Sequence, residues 1–117
     1  SDLLGSALEI GGAKVLAAQL EGIEAKALRD TVDQMKNKLG SSVVVLATVA
    51  DGKVALAAGV SKDLTAKVKA GDLIRELTAK LGGKGGGRPD FAQGGGTDVD
   101  GLPAALESVS ALVENAL

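Results

Sequence analysis

The sequence predicts an α/β (α+β) domain with helices packed on a small mixed β-sheet, in the order β-α-β-β-α-glycine loop-α. Three observations carry this. Asp51-Gly52 sits between two apolar runs, which is the strongest short-range sign of a β-hairpin. Residues 24–39 and 72–81 carry apolar side chains at steps of three and four, the period of a helix with one buried stripe. Finally, 45% of the 117 residues are hydrophobic but only 1% are aromatic, so the core is built from Val, Leu, Ile and Ala. Such small side chains let helices lie close to a sheet, and the length suits one domain with a real core.

Taken in order, residues 1–10 place Leu3, Leu4, Ala7 and Leu8 at helical spacing ahead of Gly11-Gly12. They read either as the end of a helix from a preceding segment or as a frayed terminus. The chain opens on Ser-Asp rather than Met, so it is expected to be a piece of a longer protein. Residues 1–11 are assigned to a preceding segment or linker, and 12–117 to the globular domain.

Residues 13–21 (AKVLAAQLE) form a first strand with both faces largely covered. Residues 24–39 form a helix with Leu28, Val32, Met35 and Leu39 on one stripe. Glu24 opens it, Lys36 and Lys38 close it, and Gly40 ends it, an order that suits the helix dipole. Residues 42–50 and 53–60 are the two arms of the Asp51-Gly52 hairpin. A polar, Lys-rich connection over 61–71 leads to a helix at 72–81, with Asp72 as N-cap, Ile74, Leu77 and Leu81 inward, and Gly82 as terminator. Residues 102–117 make the last helix, with Pro103 in its first turn. Its apolar face of Leu106, Val109, Leu112, Val113 and Ala116 is expected to be well buried or to meet another subunit.

Composition excludes several function classes. The chain has no Cys and no His, which removes disulfides, zinc-finger spacings and Cys or His nucleophile systems. The longest uncharged run, residues 39–50, has twelve residues and is too short to cross a bilayer, so no membrane partner is expected. Residues 1–10 lack the basic start and cleavage pattern of a signal peptide, and a cytoplasmic location is expected. The net charge of −2 hides a division: residues 53–88 hold eight basic and three acidic side chains, while 89–117 hold five acidic and no basic ones. The basic segment reads either as an anion-facing surface or as solvated helix faces.

The basic segment runs into residues 82–96, GGKGGGRPDFAQGGG, which hold eight of the 17 glycines, the single Phe and one of two prolines. There is no Ser between Ser61 and Ser108, so this is no Gly/Ser linker. It is expected to be a shaped loop in which glycines allow tight turns or close approach. It lacks the phosphate-loop pattern, because Gly83-Lys84 is followed by Gly85, and no register fits G-x-G-x-x-G. It also follows a helix C-terminus, where the dipole does not favour anions. Asp90, Asp98 and Asp100 could supply a carboxylate pair, but there is no His or metal set beside them and acids are common in turns. Within the loop, Arg88 either pairs with Asp90 across Pro89 or presents its fork to a phosphate or base edge, and Phe91 is an apolar anchor. With one aromatic residue, base stacking is largely closed, so RNA would be read by shape and backbone.

The stretch GGKGGGRPDFAQGGGTD, followed by a Leu-Pro helix, resembles the signature near the C-terminus of alanyl-tRNA synthetases. The segments KVLAAQLEG, VVVLATVADGKVALAAGVSKDL and KAGDLIRELTAKLGG look like the same domain, so the likeness runs from about Gly12 to Leu117. This is the DHH-associated domain family, which also occurs beside the catalytic domain of certain phosphoesterases and nucleases. In those relatives a His follows the glycine run. Here Arg88 stands in its place, which favours the synthetase branch over the alternative of a phosphoesterase substrate-binding domain.

The resemblance implies a non-catalytic accessory domain that contacts the elbow of tRNA(Ala), helps aminoacylation and editing act on one tRNA, and contributes to homodimer formation. Its partners would be the tRNA and the rest of the synthetase chain. ATP and zinc would belong to other domains of the parent enzyme, with no cofactor in this fragment. The residues placed on RNA are Lys80, Lys84, Gly85, Gly86, Gly87, Arg88 and Gln93, with Pro89, Asp90 and Phe91 holding the loop in shape.

Overall fold

The structure, a computed structural model, describes residues 2–117. Its elements are α1 (Asp2–Gly5), β1 (Leu8–Ile10), β2 (Ala13–Gln19), α2 (Leu28–Leu39), β3 (Ser42–Ala50), β4 (Lys53–Val60), α3 (Ala70–Lys80), β5 (Lys84–Gly87), β6 (Phe91–Gly96), α4 (Leu102–Glu107) and α5 (Val109–Ala116). One mixed sheet runs in the order β1-β2-β3-β4-β6-β5. Only β2 and β3 pair in parallel, and every other pairing is antiparallel. The expected class, helices on a mixed sheet, is what the chain forms.

The sheet is covered on both faces, and side-chain alternation divides the core accordingly. On one face Val43, Val45, Leu56, Ala58 and Ala92 pack with Leu73, Ile74 and Leu77 of α3 and with Leu102, Val109 and Val113 of α4 and α5. On the other, Val44, Leu46, Ala57 and Phe91 pack with Leu28, Val32 and Met35, the expected stripe of α2. The Asp51-Gly52 turn is as read: both residues have positive φ, 54° and 73°, and Ala50 faces Lys53 across it.

Residues 82–96 are not a loop. They form a second β-hairpin, β5 and β6, inserted so that β6 pairs with β4 and β5 becomes the sheet edge. Glycine hides a strand from any pattern-based reading because it has no side chain to alternate. It is used here because α3 lies too close for anything larger. A Cβ on Gly85 would sit 2.6 Å from Ile74 Cγ2, and one on Gly94 would sit 2.9 Å from Thr78 Cγ2.

Four further boundaries differ. Helix α2 begins at Leu28, after a 3-10 turn at Ala25–Ala27, rather than at Glu24. Helix α3 begins at Ala70, not Asp72, and its N-cap is Lys69 with no side-chain cap. The cap is unnecessary because the amides of Ala70 and Gly71 donate to the carbonyls of Pro89 and Arg88. Asp72 instead pairs with Arg75 one turn along. Leu8, read as helical, lies in the edge strand β1 beyond the single turn of α1, while Ser1 lies outside the described residues. The last helix is broken at Ser108, whose hydroxyl donates to Ala105 O at 2.6 Å. Its face is buried at Val109 and Val113, half-buried at Leu106 and Leu112, and exposed at Ala116. Gly82 terminates α3 as expected, with φ of 66° and the Gly83 amide bonded to Thr78 O.

Candidate nucleic-acid interface

The β5–β6 hairpin has two unlike faces. Gly85 and Gly94 turn toward α3, while Phe91 packs with α2 and Ala92 with α3. Alternation therefore puts Lys84, Gly86, Gln93 and Gly95 on the α2 side of the sheet. Helix α2 covers Val44, Leu46 and Ala57 of β3 and β4 there, and Gln93 beyond it is exposed. The result is a shallow depression of about 240 Å³ lined by Gly86, Gly87, Arg88, Phe91, Ala92, Gln93 and Arg29.

The residues expected on RNA separate into groups. Gly86, Gly87, Arg88 and Gln93 line the depression. Gly86 pairs directly with Gln93 across the hairpin, and Lys84 lies two residues along the same strand face, opposite Gly95. A Cβ on Gly86 would meet nothing nearer than Arg75 Nη1 at 3.7 Å, so its outer side is open. Gly85 is different, being turned into α3. Lys80 is in the last turn of α3, at the end of the hairpin away from the Arg88 turn, and does not line the depression.

Of the two readings of Arg88, the structure shows the pair with Asp90. Its Nε lies 3.5 Å from Asp90 Oδ1, so the pair across Pro89 forms, yet the Arg88 side chain remains 67% exposed. The turn itself is firmly held. Arg88 N donates to Phe91 O, and the carbonyls of Arg88, Pro89 and Asp90 accept from Gly71, Ala70 and Val60. Phe91 is buried, at 8% exposure, as an anchor should be. Asp98 accepts from the Gly101 amide as a turn cap, and no cluster of three or more metal-ligating side chains occurs among the described residues.

The basic segment does not fold into one patch. Lys84 and Arg88 belong to the hairpin, whereas Lys67 and Lys69 line a separate cleft against α5. Lys53, the first cation of that segment, stands on the α2 side of β4, beside Thr48, Ala50 and Ala55. One cation escaped the sequence reading. Arg29, on α2, reaches the depression and stacks on Phe91, with its Cζ 4.5 Å from the ring centroid. No local signal marks Arg29, because its meeting with Phe91 is made only by tertiary packing.

The chain has clear relatives among known proteins. The family model of the DHHA1 domain matches residues 12–115. A protein named alanine–tRNA ligase from Dechloromonas aromatica is 60% identical over 116 residues, covering 99% of this chain. The chain spans only 13% of that relative's length. Among solved structures, the C-Ala domain of Aquifex aeolicus alanyl-tRNA synthetase superposes with a TM-score of 0.84 at 32% identity, covering 93% of this chain and 98% of that one. A pGpG-specific phosphodiesterase from Vibrio shares the fold alone, with a TM-score of 0.56 at 12% identity over 95% of this chain and 36% of its own.

Proposed function

Since the chain belongs to the DHHA1 domain family, as a C-Ala domain of alanyl-tRNA synthetases, we propose that it is the tRNA-binding accessory domain of an alanine–tRNA ligase. It grips the elbow of tRNA(Ala) with the α2-side face of the β5–β6 hairpin and so helps aminoacylation and editing act on one tRNA. The parent enzyme works in the cytoplasm, and its ATP and zinc are handled by other domains. The observation that carries the reading is the composition of that face. Lys84 and Arg88 lie along a strand pair whose floor is Gly86, Gly87 and Gly95, with the Gln93 amide between them. A floor without side chains admits the sugar–phosphate backbone closely, and the two cations and one amide suit phosphate and sugar contacts rather than base reading. Lys84 makes no ion pair among the described residues, so its charge is available.

The test is tRNA(Ala) binding by the 117-residue chain and its Lys84→Ala and Arg88→Ala variants. Each variant is expected to weaken binding roughly fivefold and to flatten the salt dependence. Unchanged affinity in both variants removes RNA binding from this face.

A dimerisation role belongs to the same proposal, on a different surface. Leu8 is 55% exposed on the edge strand β1, beside an open groove lined by Val15, Pro103 and Leu106. An exposed apolar edge of this kind suits a second copy of the chain.

A further inference from the structure

Arg29 is the one cation of the depression that is fixed by something other than a carboxylate. Arg75 pairs with Asp72 and Arg88 with Asp90, and Lys36 lies 3.8 Å from Asp33, the acidic residue one turn beyond Arg29. Arg29 makes no ion pair among the described residues. Instead its guanidinium lies over the Phe91 ring, which α2 and the sheet hold almost wholly buried.

Stacking of this kind has a specific consequence. A guanidinium lying on a ring is held through its face, while its N–H donors point outward in its own plane and stay free for an oxyanion. The rotamer freedom that a long side chain usually loses on binding is already reduced. Arg29 lines the same depression as Arg88, which reaches it from the hairpin turn, together with Gly86 and Gly87. Two guanidinium groups, one from α2 and one from the turn, thus flank a site open to a phosphate.

We propose that Arg29 is an RNA-binding residue that closes with Arg88 on one backbone phosphate, and that Phe91 is the positioning residue that holds its guanidinium in place. This rests on the reading of the hairpin face as the RNA interface, and it adds to that face a residue from a different element. It also gives Phe91 a role in binding besides its role as an anchor.

The experiment is a salt titration of tRNA(Ala) binding by the 117-residue chain and by Arg29→Ala, Arg29→Lys and Phe91→Leu, with Lys84→Ala and Arg88→Ala alongside. Arg29→Ala is expected to weaken binding about fivefold and to lower the slope of log K against log salt by roughly 0.7–0.9, the share of one phosphate. Arg29→Lys is expected to recover less than half of the loss, because an ammonium has the charge but neither the fork nor the flat stack. Phe91→Leu is expected to lose binding like Arg29→Ala, and the double variant to lose no more than either alone. If Arg29→Ala keeps affinity and slope while Lys84→Ala or Arg88→Ala loses both, the role of Arg29 is overturned and the RNA interface stands. Full rescue by Arg29→Lys overturns the stacked fork. If the unaltered chain does not bind tRNA, or Lys84→Ala and Arg88→Ala also change nothing, the interface itself falls. Arg29 is exposed, so its variants are expected to fold whatever Phe91→Leu does.

Discussion

The Ala70 amide donates to the Pro89 carbonyl at 2.8 Å, tying the first turn of α3 to the tip of the β5–β6 hairpin. The Gly71 amide does the same with Arg88 O at 3.2 Å. Two donors that a helix N-terminus would otherwise offer to an anion are therefore used by the chain's own backbone. An incoming phosphate must be met by side chains instead. The same bonds fix the Arg-Pro-Asp turn, so that the Arg88 side chain leaves from a rigid base. They also require the two backbones to approach closely: a Cβ on Gly71 would lie 2.7 Å from Gly87 O.

Glycines of the hairpin should divide by face when each is changed to Ala. Gly85→Ala drives a methyl against Ile74 Cγ2 and the Gly94 Cα, both at 2.6 Å, and a loss of about 1–3 kcal/mol is expected. Gly86→Ala meets nothing nearer than 3.7 Å and is expected to be neutral, or stabilising by up to about 1 kcal/mol through the unfolded chain. Urea unfolding of the two variants measures the difference. Equal losses at both positions would mean that the glycines serve the backbone conformation and not the packing of α3.

This division also marks where the sequence stopped being legible. The β3–β4 hairpin could be read because Asp51-Gly52 announces the turn and Val, Leu and Ala announce the arms. Helix α2 could be read from Leu28, Val32 and Met35. The β5–β6 hairpin could not, since alternation needs side chains and Lys84 to Gly87 supply one. The motif was still informative. Arg88, Gly86, Gly87 and Gln93 do come together in one depression, and Phe91 is the anchor expected of it. What was missing is the partner from α2: Arg29 lies far from the motif in sequence and meets Phe91 only after β6 inserts beside β4. For the same reason the start of α3 was misplaced, because its capping groups are the carbonyls of Arg88 and Pro89.

Acid should act partly through Asp63. Its carboxyl is held below the usual value of 3.8 by a hydrogen bond from the Ser41 hydroxyl and a second from Ser61. A carboxyl with a lowered folded pKa contributes stability above its unfolded pKa and loses it as pH falls through the folded one. Ser41→Ala is therefore expected to reduce stability at neutral pH and to flatten its decline below about pH 4. Urea midpoints at pH 7 and across the acid limb measure both effects. An unchanged acid limb in the variant would show that the Ser41 bond is not kept in solution.

Self-association should depend on β1. Leu8→Glu places a charge on the exposed edge strand, and a dimer formed through this surface is expected to shift to monomer in sedimentation velocity. A dimer that survives the substitution uses another face, and a chain that is monomeric at high concentration has no such interface.

The most direct measurement compares the affinity of the 117-residue chain for intact tRNA(Ala) and for the same tRNA with its elbow pairing disrupted. If the hairpin face grips the elbow, intact tRNA is expected to bind at least about tenfold more tightly than the disrupted one, and Arg88→Ala is expected to shrink that difference. Equal affinity for the two RNAs, with the same loss in Arg88→Ala, would contradict elbow recognition and leave only general attraction between this face and phosphate.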